Sequence, residues 1–169
     1  TASRISSPVL RSGRATFIYT IDSAQAPRQL VSIAGLLDQL PGVYNLNAYN
    51  FAQDLRLSIR GFGSRSAFGV RGVKVLVDGV PITTPDGQSQ FDHIDPQSIA
   101  RVELISGPSS SLHGNASGST LTLQSVPILG NRSQLQMGVG SYGLLRTRLL
   151  ANRTFGKSAV QASLSRFAL

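Results

Sequence analysis

The rhythm of hydrophobic and polar positions changes near residue 130 of this 169-residue chain. Upstream, short apolar bursts alternate with turn residues. Residues 16–22, rich in β-branched and aromatic side chains, read as a first strand. Ser32 then precedes Ile33, Leu36, Leu37 and Leu40, a one-sided helical stripe with a serine cap that Pro41-Gly42 stops. Val43 begins an extended segment, and residues 55–59 alternate as a strand should. Residues 73–77 read as a buried strand, followed by Asp78-Gly79, a hairpin signal because both central residues need positive φ. Asp95-Pro96 reads as a cap followed by proline at the first helical position, leading into a strand at 101–105 that Gly107-Pro108 breaks. Residues 121–123 form a last short strand before Pro127. These elements predict an α+β domain: a small mixed sheet with one or two short helices.

Downstream, the period is strictly two. Leu135, Met137 and Val139 alternate with Gln134, Gln136 and Gly138. Leu145, Thr147, Leu149 and Ala151 oppose Arg146 and Arg148, and Val160, Ala162 and Leu164 oppose Gln161, Ser163 and Ser165. Three such segments separated by Gly143 and Gly156 fit an antiparallel meander. A transmembrane barrel strand needs this pattern, because a charge facing lipid at mid-bilayer costs about 2–4 kcal/mol. A half-buried soluble sheet uses the same alternation. Periodicity leaves both readings open.

Charge divides at the same place. Residues 1–129 hold ten basic and eight acidic residues, a net +2, whereas residues 130–169 hold six basic residues and no acid. The whole-chain charge of +8 is therefore a poor guide to partners. A nucleic-acid surface needs basic residues interleaved with exposed aromatics. Arg146, Arg148, Arg153 and Arg166 are accompanied only by Tyr142, Phe155 and Phe167, so no nucleic-acid partner is expected. The chain has no cysteine, which excludes disulfides and thiolate metal sites. No apolar run reaches the length of a membrane-spanning helix. Starting at Thr1 without a leader, the sequence reads as a mature or excised piece.

Catalytic constellations are weak. Ser109, Ser110 and Ser111 could be combined with His93 or His113 and with Asp92 or Asp95, but no Gly-x-Ser-x-Gly elbow is present. The two histidines lack metal-ligand spacing. Neither an enzyme nor a metal or cofactor site is expected.

Three phrases stand in fixed order: Leu57-Ser58-Ile59-Arg60-Gly61-Phe62-Gly63, Val75-Leu76-Val77-Asp78-Gly79-Val80-Pro81, and residues 95–108 continuing through Leu112-His113-Gly114 to Gly118. With Leu36-Leu37-Asp38-Gln39-Leu40-Pro41-Gly42-Val43 ahead of them, this combination resembles the plug of TonB-dependent outer-membrane receptors. The resemblance covers residues 1–129. It implies a globular plug inside a 22-stranded barrel, with residues 130–169 as the opening strands of an incomplete transmembrane β-barrel. It also implies a Gram-negative outer-membrane location and contact with membrane lipid. Active import of a scarce ligand, such as a ferric siderophore or another metal chelate, would be the function. Thr1-Ala2-Ser3-Arg4 is similar to the segment that follows the family's TonB box, which places the TonB-binding box upstream of Thr1. The runner-up is a soluble periplasmic α+β binding or signalling module sharing the plug fold.

The resemblance points to two ligand loops. Gly63–Arg71 supplies Ser64, Arg65, Ser66, Phe68 and Arg71; Thr83–Phe91 supplies Thr84, Asp86, Gln88 and Phe91. Arg65 and Arg71 suit an anionic chelate. A solvated turn, with arginine anchoring loop backbone, is the plainer alternative. Arg60, Arg101 and Glu103 are expected to form a charge network within the plug or against the barrel wall. Two positions depart from the family pattern. Ser106 stands where an arginine is usual, and Ser119 replaces the second of two glycines, which places the tight strand approach at that point in question.

Overall fold

The computed structural model describes residues 5–11, 14–20, 32–47, 50, 53–67, 69–106, 118–156 and 158–168. The chain forms two compact units, Thr1–Val126 and Pro127–Leu169. The first unit begins with strands β1 (Ile5–Arg11) and β2 (Arg14–Thr20), then one helical turn, α1 (Ala34–Leu37). Short strands β3 (Val43–Asn45), β4 (Leu57–Ile59) and β5 (Val70–Arg71) come after it. Next are β6 (Val73–Val77), β7 (Val80–Pro81), β8 (Gln88–Ser89), β9 (Ile99–Ser106) and β10 (Ser119–Ser125). No helix among the described residues is long and apolar enough to cross a membrane.

A six-stranded sheet in the order β1-β2-β9-β10-β6-β7 organises this unit. It is mixed: β10 runs parallel to β6 and antiparallel to β9. Leu104 sits beside Leu121, and Leu121 beside Val75, all fully buried. Leu123 and Val102 form the next buried row. Burying a side chain of this size contributes about 1.5–3 kcal/mol. The stripe Ile33, Leu36, Leu37 and Leu40 packs into the same core. The expected serine cap is present, Ser32 Oγ accepting from Ala34 N at 3.0 Å. The helix is shorter than the stripe implies, a single turn, because Leu40 already lies in the chain reversal at Pro41-Gly42.

Asp78 (φ 50°) and Gly79 (φ 83°) form the predicted hairpin turn. The Asp78 carboxylate accepts from Ser125 N at 2.7 Å and from Ser125 Oγ, while Asp78 N donates to Leu123 O at 2.9 Å. The turn thereby fastens the end of β10. A second fastening is Val126 N donating to Ser98 O at 2.8 Å, from a 3-10 turn at Pro96–Ser98 that Asp95 caps through Gln97 N.

The two departures from the family pattern are cross-strand neighbours, Ser106 facing Ser119. They are 4% and 0% exposed, and neither hydroxyl has a hydrogen-bond partner among the described residues. Strand β10 forms regardless, Ser119 aligning with Val73 on its other side. Close approach falls on Gly118 instead, where a Cβ would lie 2.5 Å from Phe62 Cγ. Residues 107–117, which carry the Gly107-Pro108 break and the Leu112–Gly114 phrase, lie outside the described residues.

The second unit is a three-stranded antiparallel meander, β11 (Arg132–Val139), β12 (Leu145–Phe155) and β13 (Ser158–Ala168). Leu135 aligns with Leu149 and Leu149 with Leu164, so the predicted apolar positions share one face. That face is open: Leu135 is 62%, Leu149 49% and Leu164 70% exposed. On the opposite face of β12, Arg148 is 6%, Leu150 8% and Asn152 5% exposed, while Ser163 and Ser165 of β13 are open. An open leucine row opposite a buried arginine and asparagine is the reverse of a soluble half-buried sheet.

Candidate functional site

Strands β5 and β8 bring the two predicted loops together. Val70 aligns with Ser89 and Arg71 with Gln88. The inward residues anchor the ladder: Val70 is fully buried, and the Ser89 hydroxyl shares a 2.7 Å hydrogen bond with Thr83 Oγ1. Thr83 Oγ1 in turn accepts from Val75 N at 2.8 Å, tying the loop to the central sheet. Gly63 starts the first loop with φ 85°, and a Cβ there would lie 2.4 Å from Leu57 O, so only glycine fits.

The outward residues assemble a polar cluster. Arg71 Nη2 lies 3.9 Å from Asp86 Oδ2 and donates to Gln88 Oε1 at 3.5 Å. Thr84 Oγ1 lies within hydrogen-bonding reach of the Asp86 carboxylate and of Gln88 O. Thr84 N donates to Gln88 O at 2.8 Å and Gly87 N to Thr84 O at 2.9 Å, closing the turn. The Thr84 hydroxyl is the main cause holding the Asp86 carboxyl below its usual range, with the Gln88 amide and Arg71 adding to it. The Arg71 and Asp86 side chains remain more than half exposed, so water screens their attraction.

Beside this cluster lies a cleft of about 310 Å³ lined by Ile82, Thr84, Asp86, Gln88, Gln90 and His93. Gln90 Nε2 donates to Asp54 Oδ2 at 3.1 Å, bringing in a residue 36 positions away. Partial burial raises the Asp92 carboxyl above its usual range, and hydrogen bonding and charge repulsion from Asp54 push the same way. His93 opposes the rise. Sequence reasoning assigned none of Asp54, Gln90, Asp92 or His93 to this cluster. The alternation of outward Gln88 and Gln90 with inward Ser89 was a readable signal for Gln90; the approach of Asp54 was not.

The same alternation corrects one expectation. Phe91 is 2% exposed and part of the hydrophobic core, because it continues the inward series begun by Ser89. Ser66 is also turned in, at 7% exposure, its amide donating to Gly63 O. Ser64 and Arg65 are exposed, Ser64 Oγ donating to Gly61 O at 2.9 Å. Phe68 lies outside the described residues.

Among the described residues, the expected charge network is joined only between Arg101 and Glu103. Arg101 and Glu103 are two apart on β9, and their side chains form a 3.9 Å ion pair. Arg60 belongs elsewhere: it follows β4 at φ 50°, is exposed, and its amide donates to Gly42 O at 3.0 Å. Among the described residues it makes no ion pair with either partner. Its left-handed conformation turns it back over Gly42, away from the line of β4. No group of three or more His, Asp or Glu side chains among the described residues is placed to hold a metal ion.

Residues 11–120 match the TonB-dependent Receptor Plug Domain family. The chain belongs to that family. Plug and meander together are 26% identical over 162 residues to the vitamin B12 transporter BtuB of Vibrio vulnificus (strain CMCP6), covering 95% of this chain and 26% of that protein. The rhizobactin receptor of Rhizobium meliloti (strain 1021) is 35% identical over 111 residues, 63% of this chain and 14% of that receptor. The hemin receptor of Yersinia pestis is 27% identical over 149 residues, 86% and 21% respectively. In fold, the chain is similar to the ferric yersiniabactin uptake receptor FyuA from Yersinia pestis, with a TM-score of 0.66 and 21% identity over 92% of this chain and 24% of that one. The plug chain thus spans about a quarter or less of these relatives' length. They are transport receptors and not enzymes, which agrees with the weakness of the catalytic constellations.

Proposed function

We propose that this chain is the plug and the first barrel strands of an outer-membrane receptor that imports a scarce small molecule, a ferric siderophore or another metal chelate. The plug, residues 1–129, gates the pore, and residues 130–169 begin the wall. One observation supports the membrane part of the reading: Leu135, Leu149 and Leu164 align on a face that is open along β11–β13, while Arg148 and Asn152 on the other face of β12 are buried. A soluble periplasmic module would leave Leu135, Leu149 and Leu164 in water. Strands β12 and β13, each of 11 residues, suit a tilted crossing of the hydrocarbon layer.

Ligand docks on the paired loops, where Arg71, Thr84, Asp86 and Gln88 present donors and acceptors beside the cleft. Arg71 is the principal contact. Its 3.9 Å pairing with Asp86 is long and solvated, so a ligand carboxylate or catecholate can replace it at small cost. Exposed Ser64 and Arg65 lie on the first of these loops. Docking favours a state in which the upstream box is offered to TonB, which requires that the ligand bind this state more tightly than the closed one. Uptake of labelled chelates by a deletion strain complemented with wild-type or Arg71→Ala receptor tests the reading. Loss of uptake with unchanged receptor abundance in the outer membrane supports it. Full uptake by the variant removes Arg71 from the site, and residence of the protein in the soluble periplasm removes the receptor.

A further inference from the structure

We propose that Arg153 and Arg166 anchor the outward face of β11–β13 to phosphates of anionic lipids, one arginine toward each edge of the hydrocarbon layer. The inference rests on the barrel reading above. Both arginines depart from the polar-face placement of Arg146 and Arg148. Arg153 shares the parity of Leu149 and Ala151 on β12, and Arg166 that of Ala162 and Leu164 on β13. Both are exposed. They are therefore charges on the face that holds Leu135, Leu149 and Leu164, in a segment with no acidic residue to pair with them.

Their depth makes that placement tolerable. Arg166 aligns with Thr147 and Arg153 with Val160, so six residues of β12 separate the two rows. At about 3.3–3.4 Å per residue this is about 20 Å along the strand. A barrel tilt of about 35–45° reduces it to about 15 Å across the membrane, against an apolar band of about 25 Å. The remaining distance is within the reach of two long side chains extending in opposite directions. Between the arginine rows the face carries only Leu135, Leu149, Leu164 and small residues. Outside them, the exposed aromatics Phe155 and Tyr142 stand at opposite ends of the meander, as interfacial residues do. A guanidinium at each level meets lipid phosphate and can bind it through two parallel hydrogen bonds.

The test uses the intact receptor reconstituted in phosphatidylcholine vesicles with and without phosphatidylglycerol. Phosphatidylglycerol retained by the detergent-released receptor is measured by native mass spectrometry. Arg153→Gln and Arg166→Gln are each expected to weaken retention at one edge about fivefold and leave the other edge unchanged, and the double variant to weaken both edges about fivefold, whereas Arg146→Gln on the opposite face changes nothing. Equal retention by wild type and the double variant overturns the proposal, as does displacement of the lipid by inorganic phosphate at equal concentration. Co-flotation of the receptor with vesicles after an alkaline wash is scored separately. Failure to float removes the barrel reading itself, while flotation with unchanged lipid retention removes only the anchors.

Discussion

Strands β9–β10 and β11–β12 share one sequence rule and obey it in opposite senses. In the first pair, Val102, Leu104, Leu121 and Leu123 are fully buried. In the second, Leu135, Met137 and Leu149 are 62%, 71% and 49% exposed, and the buried positions are the alternate ones of β12, Arg148, Leu150 and Asn152. Alternation fixes which residues share a face. It does not state which face water sees. The solvent decides that: in water the apolar face must be hidden, and in lipid it is the polar face that must find cover.

Substitutions can break this contrast, beginning with the largest effect. Leu104→Ala in the fully buried row is expected to cost about 2–5 kcal/mol of plug stability, measured by denaturant unfolding. Leu149→Ala, on the open face, is expected to cost far less by the same measurement. Leu149→Arg reverses that order in a bilayer. It places charge at mid-depth and is expected to cost about 2–4 kcal/mol, read as reduced folding into vesicles.

A smaller effect concerns the point where the first unit ends. Asp78→Ala removes the acceptor of two hydrogen bonds from Ser125, and is expected to destabilise the plug by about 1–3 kcal/mol. Amide hydrogen exchange should localise the loss to the end of β10, leaving β11–β13 unchanged.

The smallest effect is a pH dependence confined to the first unit, because residues 127–169 contain no carboxylate side chain. Folded Asp92 keeps its proton to higher pH than the ordinary carboxylate value of 3.8. The folded state therefore binds more protons between those two values, and its stability falls as pH rises through that window. Asp86, held below its usual range, acts oppositely: its contribution is present above the ordinary value and is lost as pH falls through its lowered one. Stability measured against pH should lose the first slope in Asp92→Asn and the second in Asp86→Asn.

Local chemistry was the legible part of this fold. Asp78-Gly79 could be read because its turn demands positive φ at both residues, and Asp95-Pro96 because cap and proline act within three residues. The stripe from Ile33 to Leu40 announced a buried face, though not that the helix would last one turn. Strand β1 was not anticipated, since residues 6–8, Ser-Ser-Pro, interrupt any apolar alternation and only pairing with β2 completes it. The two polar loops were legible as loops, but their joining through Val70–Ser89 and Arg71–Gln88 is a two-residue ladder too short to leave a pattern. Phe91 was misassigned because an aromatic in a polar loop looks available until its strand parity is known. Asp54 approaches Gln90 across 36 residues, a distance at which sequence carries no signal without tertiary contact.

Absence of cysteine makes one measurement direct. Single nitroxide labels at Leu149→Cys and Gln136→Cys in the vesicle-embedded receptor report accessibility to oxygen, which partitions into lipid, and to a water-soluble nickel chelate. The label at 149 is expected to be relaxed by oxygen and shielded from nickel, and the label at 136 to show no such lipid preference. Nickel access at 149 equal to that of a label in a water-exposed loop would contradict this.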